Sequence, residues 1–144
     1  MRKRLATAVA FVAFATTVAF AGPIEDRQAI MKGVAGATKT AVGMAKGETP
    51  YDDAKAKQVF QVYVDAAEKM PDLFPAGTEK GNDTTASPKI WDDMSGFKAA
   101  FAKFGADSQA AMAASTDQAS FGKALGGVTK HCGSCHESFR VKKG

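Results

Sequence analysis

Residues 121 to 140 read "FGKALGGVTKHCGSCHESFR". Phe121, Leu125, Val128, Cys132, Cys135 and Phe139 recur every three or four positions, the spacing of one face of an α-helix, and His136 adjoins that face. The same stretch holds both cysteines and both histidines of the chain. Apolar packing residues and soft ligating residues therefore share one stripe, and this helix turns its chemistry toward the core that it helps to close.

Within it, Cys132-Gly133-Ser134-Cys135-His136 is a C-x-x-C-H sequence, the signature of covalent c-type haem attachment. Two cysteines three residues apart on a helix leave from one face and reach the two vinyl groups of one haem as thioethers, while the next residue places an imidazole under the iron. Gly133 and Ser134 are small enough to leave room for the porphyrin edge. Other uses of paired cysteines fit less well. A disulfide leaves His136 without a role. A C-x-x-C oxidoreductase does the same and needs a βαβ pattern that the sequence lacks. A zinc site needs a second pair of cysteines or histidines elsewhere, and the chain has none. The expectation is one covalently bound haem c per chain, held by Cys132 and Cys135 with His136 on the iron. His131 is read as an exposed histidine beside the motif.

The 144 residues leave room for one domain. The first 21 do not belong to it. "MRKR" is a basic start, Leu5 to Phe20 is an uncharged apolar run, and Ala19-Phe20-Ala21 is an A-x-A cleavage pattern, so residues 1–21 read as a secretory signal cleaved after Ala21. The run is short for a bilayer span of about 20 residues, and Gly22-Pro23 follows it at once. The mature domain is then 22–144, with no membrane insertion. Loss of Arg2, Lys3 and Arg4 takes the formal charge from +4 to +1, so the high pI belongs mostly to the export signal. No basic stripe with interleaved aromatics survives, which excludes nucleic-acid binding.

The rest of the chain is helical in pattern, with no hairpin dipeptide and no sustained apolar alternation. A first helix runs from about Ile24 to Ala45, with Ile24, Gln28, Met31, Ala35, Thr38, Val42 and Ala45 along one face, and stops at Gly47. A second starts at Thr49-Pro50 and buries Val59, Phe60, Tyr63, Ala67 and Met70. Pro71 to Ser87, rich in proline, glycine and small polar residues, is one long connection. A third helix opens at Ser87-Pro88 and carries Ile90, Trp91, Met94, Phe97, Phe101 and Phe104; Thr116 or Asp117 caps the fourth. The fold class is all-α, an antiparallel up-down-up-down four-helix bundle with haem in the bundle.

Five separated segments, "RQAIMKG", "AKGETPYD", "LFPAGTEKG", "SPKIW" and "CGSCHESFR", occur in the order of the class II cytochromes c, and over nearly the whole mature chain the sequence resembles the cytochrome c-prime family with its low-spin cytochrome c-556 branch. The resemblance implies a haem held between helices by Cys132, Cys135 and His136. It places Arg27 and Gln28 at positions that contact the propionates, and Thr84 and Thr85 at loop positions that approach the haem. A cation and an amide beside carboxylates are chemically sensible, while the plain reading of Arg27 is an exposed surface charge. Arg140 lies one turn beyond His136 on the proximal side.

The resemblance leaves the sixth coordination position as the point of divergence. Met31 stands where the c-556 branch carries its methionine ligand, and core packing is the ordinary use of a methionine at helical spacing. Met44, Met70, Met94 and Met112 lack that family position. With Met31 bound, the chain is a periplasmic one-electron carrier for redox partner proteins, and Lys123, Lys130, Lys142 and Lys143 form either a steering patch for acidic partners or an ordinary solvated face. With the position open, it is a five-coordinate module for nitric oxide or carbon monoxide. No distal histidine is at hand, since His131 and His136 share one segment, and the chain is read as a non-enzyme. Aromatic and alanine-rich faces are suited to a homodimer, as many cytochromes c-prime form.

Overall fold

A computed structural model describes residues 22–142; the proposed signal segment and Lys143 lie outside the described residues. Among the described residues five α-helices form: α1 (Pro23–Ala45), α2 (Asp53–Lys69), α3 (Lys89–Asp92), α4 (Met94–Ala114) and α5 (Gln118–Phe139). A 3-10 turn, Met70–Asp72, closes α2 and opens the long loop. Among the described residues the only strand-like pairing is an isolated bridge, Ala86 to Arg140.

Two helices depart from their sequence reading. The second helix starts at Asp53 and not at Thr49-Pro50, because Asp52 is the N-cap and its carboxylate accepts from the Lys55 amide at 2.9 Å. The third is two helices: Asp93 leaves helical geometry (φ −131°, ψ 58°) and its Oδ1 accepts from the Gly96 amide at 3.0 Å, so one residue ends α3 and caps α4. Of the two caps foreseen for α5, Asp117 serves, in a reciprocal box with Ser120. Where α1 ends, Gly47 takes φ +74°, a left-handed conformation that its missing Cβ permits, and its amide returns to the Met44 carbonyl at 3.1 Å.

The four long helices make a closed ring in which α1 packs on α2, α2 on α4, α4 on α5, and α5 on α1. Alpha1 and α5 run antiparallel: Ala45 at the end of α1 lies over Gly122 at the start of α5, while the start of α1 meets the end of α5 through the long loop. Helices α2 and α4 pack tightly at Gly105, where any Cβ would stand 3.0 Å from that of Ala67. The core follows the expected stripes on α2 (Val59, Phe60, Tyr63, Ala67, Met70) and on α5 (Phe121, Leu125, Val128). On α1 the stripe is turned: Ile24, Arg27, Val34, Ala41 and Met44 are buried, whereas Gln28 and Ala35, which the sequence placed on the inner face, are exposed. A weakly amphipathic, alanine-rich helix leaves its rotation to its neighbours, and here Arg27 takes an inward position.

Candidate haem site

Cys132 and Cys135 leave the last two turns of α5 half-buried, both as free thiols. Burial pushes both thiols up, and Cys132 adds to the shift at Cys135. They are protonated, quiet thiols, the opposite of the activated thiolate on which C-x-x-C oxidoreductases depend. A Cβ built on Gly133 meets nothing within 4 Å, so the arc between the cysteines is open for a flat group. His136 lies on the exposed side of the helix, and partial desolvation, then Arg140, lower its imidazole below the ordinary value. It is therefore neutral near pH 7, the form that binds a metal. Among the described residues no three or more His, Cys, Asp or Glu side chains gather where they could hold a metal ion.

Arg27 is not a surface charge. It is 5% exposed. One guanidinium nitrogen donates to the Leu73 carbonyl (3.2 Å) and Thr78 Oγ1 (3.1 Å), the other to the Thr78 carbonyl (2.9 Å) and Thr84 Oγ1 (3.4 Å). Its Cζ lies 4.4 Å from the Phe74 ring centroid and 5.9 Å from that of Trp91. All four acceptors are neutral. A buried cation whose acceptors carry no charge suits an anionic group brought close to it, which is what a propionate supplies. Desolvation lowers the guanidinium, opposed by Glu25 and Glu79; it remains charged.

The loop that Arg27 organises spans the end of the bundle. Gln28 Nε2 donates to the Asn82 carbonyl at 2.7 Å, and Asn82 Nδ2 bonds the carboxylate of Glu25. From the other side, Arg140 Nε donates to Thr85 Oγ1 at 3.2 Å, the Ser87 amide to the Phe139 carbonyl at 3.0 Å, and the Val141 amide to the Thr85 carbonyl at 2.9 Å. Arg27, Gln28, Thr84 and Thr85 are thus brought together, within one strap that joins α1 to α5. Met31, four residues in from Arg27, and His136, four residues in from Arg140, consequently lie one turn inside the same end of the bundle, on two helices packed against each other. Met31 is half-buried against the core; Met44 and Met70 are buried within it.

The structure corrects the reading of His131, which is not exposed and apart. Its side chain is 21% exposed and Nε2 lies 2.6 Å from Asp107 Oδ2 on α4. The sequence carries no signal for this contact, because the partners are 24 positions apart on different helices.

A bundle that offers a C-x-x-C-H motif on its last helix, quiet thiols, a neutral imidazole and a buried cation is the frame of a helical c-type haem protein. The family model described as cytochrome c' matches residues 22–140. The chain is 40% identical over 145 residues to a cytochrome c' of Rhodopseudomonas palustris, covering 99% of each. It is 38% identical over 124 residues to a cytochrome c-556 of Agrobacterium fabrum, covering 85% of this chain and 84% of that one. The solved structure of cytochrome c' from Rhodopseudomonas palustris superposes with a TM-score of 0.83 at 41% identity, over 87% of this chain and 100% of that one. The chain belongs to the cytochrome c' family, and its cofactor is covalently attached haem c.

Proposed function

We propose that the chain is an electron-carrying member of the family, of the c-556 kind, in which Met31 is the second axial ligand opposite His136. One observation carries the reading: Met31 and His136 lie one turn in from the same end of the bundle on two packed, antiparallel helices, with Met31 turned against the core. Bound haem supplies a one-electron ferric/ferrous couple. The chain's own part is to hold Cys132 and Cys135 as thioether donors, keep His136 neutral, set Met31 opposite it, and bring Arg27 and Gln28 beside the propionates. Methionine as soft axial ligand favours the ferrous state, and two fixed ligands keep reorganisation small. The reading includes export to the periplasm after cleavage at Ala21; among the described residues no helix is long and apolar enough to cross a membrane. Lys123, Lys130 and Lys142, all exposed, and Lys143 are the proposed steering charges for acidic redox partners. A homodimer through the outer face of α1, where Gly33, Ala35 and Gly36 are exposed, belongs to the same reading.

A second reading has its own support, since the likeness to a cytochrome c' runs over 99% of the chain. In it the sixth position is open and the iron binds nitric oxide or carbon monoxide. The absorption spectrum of the holoprotein, oxidised and reduced, with and without carbon monoxide, separates the two. Low-spin bands with a far-red methionine-to-iron band and no response to carbon monoxide are expected, and Met31→Ala converts that spectrum to high spin. A high-spin spectrum that shifts with carbon monoxide, unchanged in kind by Met31→Ala, overturns the electron-carrier reading in favour of gas binding.

A further inference from the structure

The second histidine has a built environment that the haem ligands do not use. His131 Nε2 lies 2.6 Å from Asp107 Oδ2, and its ring meets Phe104 edge-on with centroids 6.1 Å apart. Phe104 packs on Tyr63 at 5.5 Å, and the Tyr63 hydroxyl bonds Thr38 Oγ1 at 2.8 Å. Because the Thr38 hydroxyl donates to the Val34 carbonyl, Tyr63 is the donor in that pair. One layer of contacts therefore crosses all four long helices at the level of Cys132, the next residue after His131. Burial pushes the Tyr63 phenol up, and Cys132 adds to it.

The groups around the imidazole can be named element by element. Alpha4 presents Asp107 and Lys103, whose Nζ is 2.8 Å from the same carboxylate oxygen. Alpha2 presents Tyr63 behind Phe104, and α1 presents the uncharged Thr38. On α5 itself the neighbours are Lys130 and Cys132 in sequence, with Cys135 and His136 about one turn on. Lys103 first, then His131, hold the Asp107 carboxyl below the usual range. A carboxylate is therefore ready for an imidazolium, and the 21% exposure of the His131 side chain gives water access to it.

We propose that the His131–Asp107 pair is a redox-linked proton site: as the haem gains one electron from a donor, His131 gains one proton from water, and it returns the proton when the electron leaves. Imidazole is the side chain whose charge ordinarily changes between about pH 5 and 8. An electron added to the group attached at the adjacent residue lowers the local charge by one and favours the imidazolium. Coupling is reciprocal, so a protonated His131 raises the reduction potential to the same extent. Asp107 keeps the imidazolium paired across the α4–α5 contact, which lets the proton enter without opening the bundle. The inference rests on haem attached at Cys132, not on Met31, and so it is independent of the spin state.

The test uses holoprotein. Labelled-imidazole NMR follows the His131 ring against pH in the ferric and ferrous states, and spectroelectrochemistry follows the potential from pH 5 to 9. The expected result is a His131 titration midpoint that moves upward on reduction, corresponding to proton binding about fivefold tighter or more, at the low end of ordinary coupling. The potential then falls with rising pH between the two midpoints. His131→Gln flattens that segment, and Asp107→Asn moves it to lower pH while leaving the C-x-x-C-H residues in place. A midpoint identical in the two oxidation states overturns the proposal, as does an undiminished pH dependence in His131→Gln. Should either variant fail to mature, the two-state titration of the wild-type ring decides alone, because a merely structural histidine has one midpoint in both states.

Discussion

The two ends of this bundle are held by different physics. Where α2 meets the start of α5, Phe121 lies 5.6 Å from Phe60 and 5.9 Å from Tyr51, and Phe60 lies 6.1 Å from Tyr63, ring against ring. At the other end a buried arginine, two threonines and a strap of loop backbone tie α1 to α5, through contacts whose partners are 46 to 57 positions apart. The first end is apolar burial, which has no direction and accepts any well-packed side chain. The second has its own ring cluster, Phe74, Trp91, Phe97 and Phe139, but adds to it directed bonds from particular donors to particular carbonyls and hydroxyls, and these surround the residues assigned to haem chemistry. The lesson is one of division: packing confers stability, while the directed contacts confer position.

That contrast can be broken from either side. The largest expected effect is at the packed end, where Phe60→Ala opens a cavity at a fully buried ring and costs about 3–5 kcal/mol. Denaturant unfolding of the holoprotein measures it, and the Soret spectrum of the folded fraction should hardly change. At the polar end, Arg27→Gln removes four hydrogen bonds to the loop and leaves some acceptors unsatisfied, at about 2–4 kcal/mol. Hydrogen exchange should show protection lost across residues 73–84, together with a shift of the haem spectrum that Phe60→Ala does not produce. A uniform loss of protection over the whole chain would mean that the two ends are not separate.

A smaller effect is expected where two long helices touch. Gly105→Val forces a branched side chain against Ala67 and costs about 1–3 kcal/mol, read from the denaturation midpoint. Gly105→Ala sits nearer to neutral, since better helix propensity offsets the tight 3.0 Å approach. The smallest effect concerns the ion pairs of α4 and α5. Because the folded-state pKa of Asp107 is depressed, its contribution is present above the ordinary carboxyl value of about 4 and is lost as pH falls through the lower folded value. Melting curves of wild type and Asp107→Asn should thus differ at pH 6 and converge near about pH 3. A difference that persists in acid would mean that packing of the side chain, not its charge, is what Asp107 contributes.

Legibility in the sequence follows the same division. Val59, Phe60, Tyr63, Phe121, Leu125 and Val128 were readable because a buried helix face repeats at 3.6 residues, and the repeat is local. Cys132, Cys135 and His136 were readable because haem attachment needs all three on one short stretch. Arg27, Gln28, Thr84 and Thr85 could be named only through family resemblance, since nothing near Arg27 in the chain says that it is buried. The break at Asp93 was hidden by an unbroken apolar stripe; only the capping bond to Gly96 shows that one helix ends and another begins there. Thr49-Pro50 looked like a helix start because cap and proline were in order, yet Asp52 won with a carboxylate that reaches the Lys55 amide.

By itself, then, the sequence determined the helical class, the long loop, the core stripes of α2 and α5, and the covalent cofactor. Periodicity, turn chemistry and ligand spacing are short-range properties of a chain. Tertiary structure alone decided which way α1 faces, that Arg27 is buried on Phe74, that one strap brings Met31 and His136 to the same end, and that His131 meets Asp107. Each of these is a choice between faces or partners of nearly equal local merit, and only the closing of four helices around one core makes them unequal.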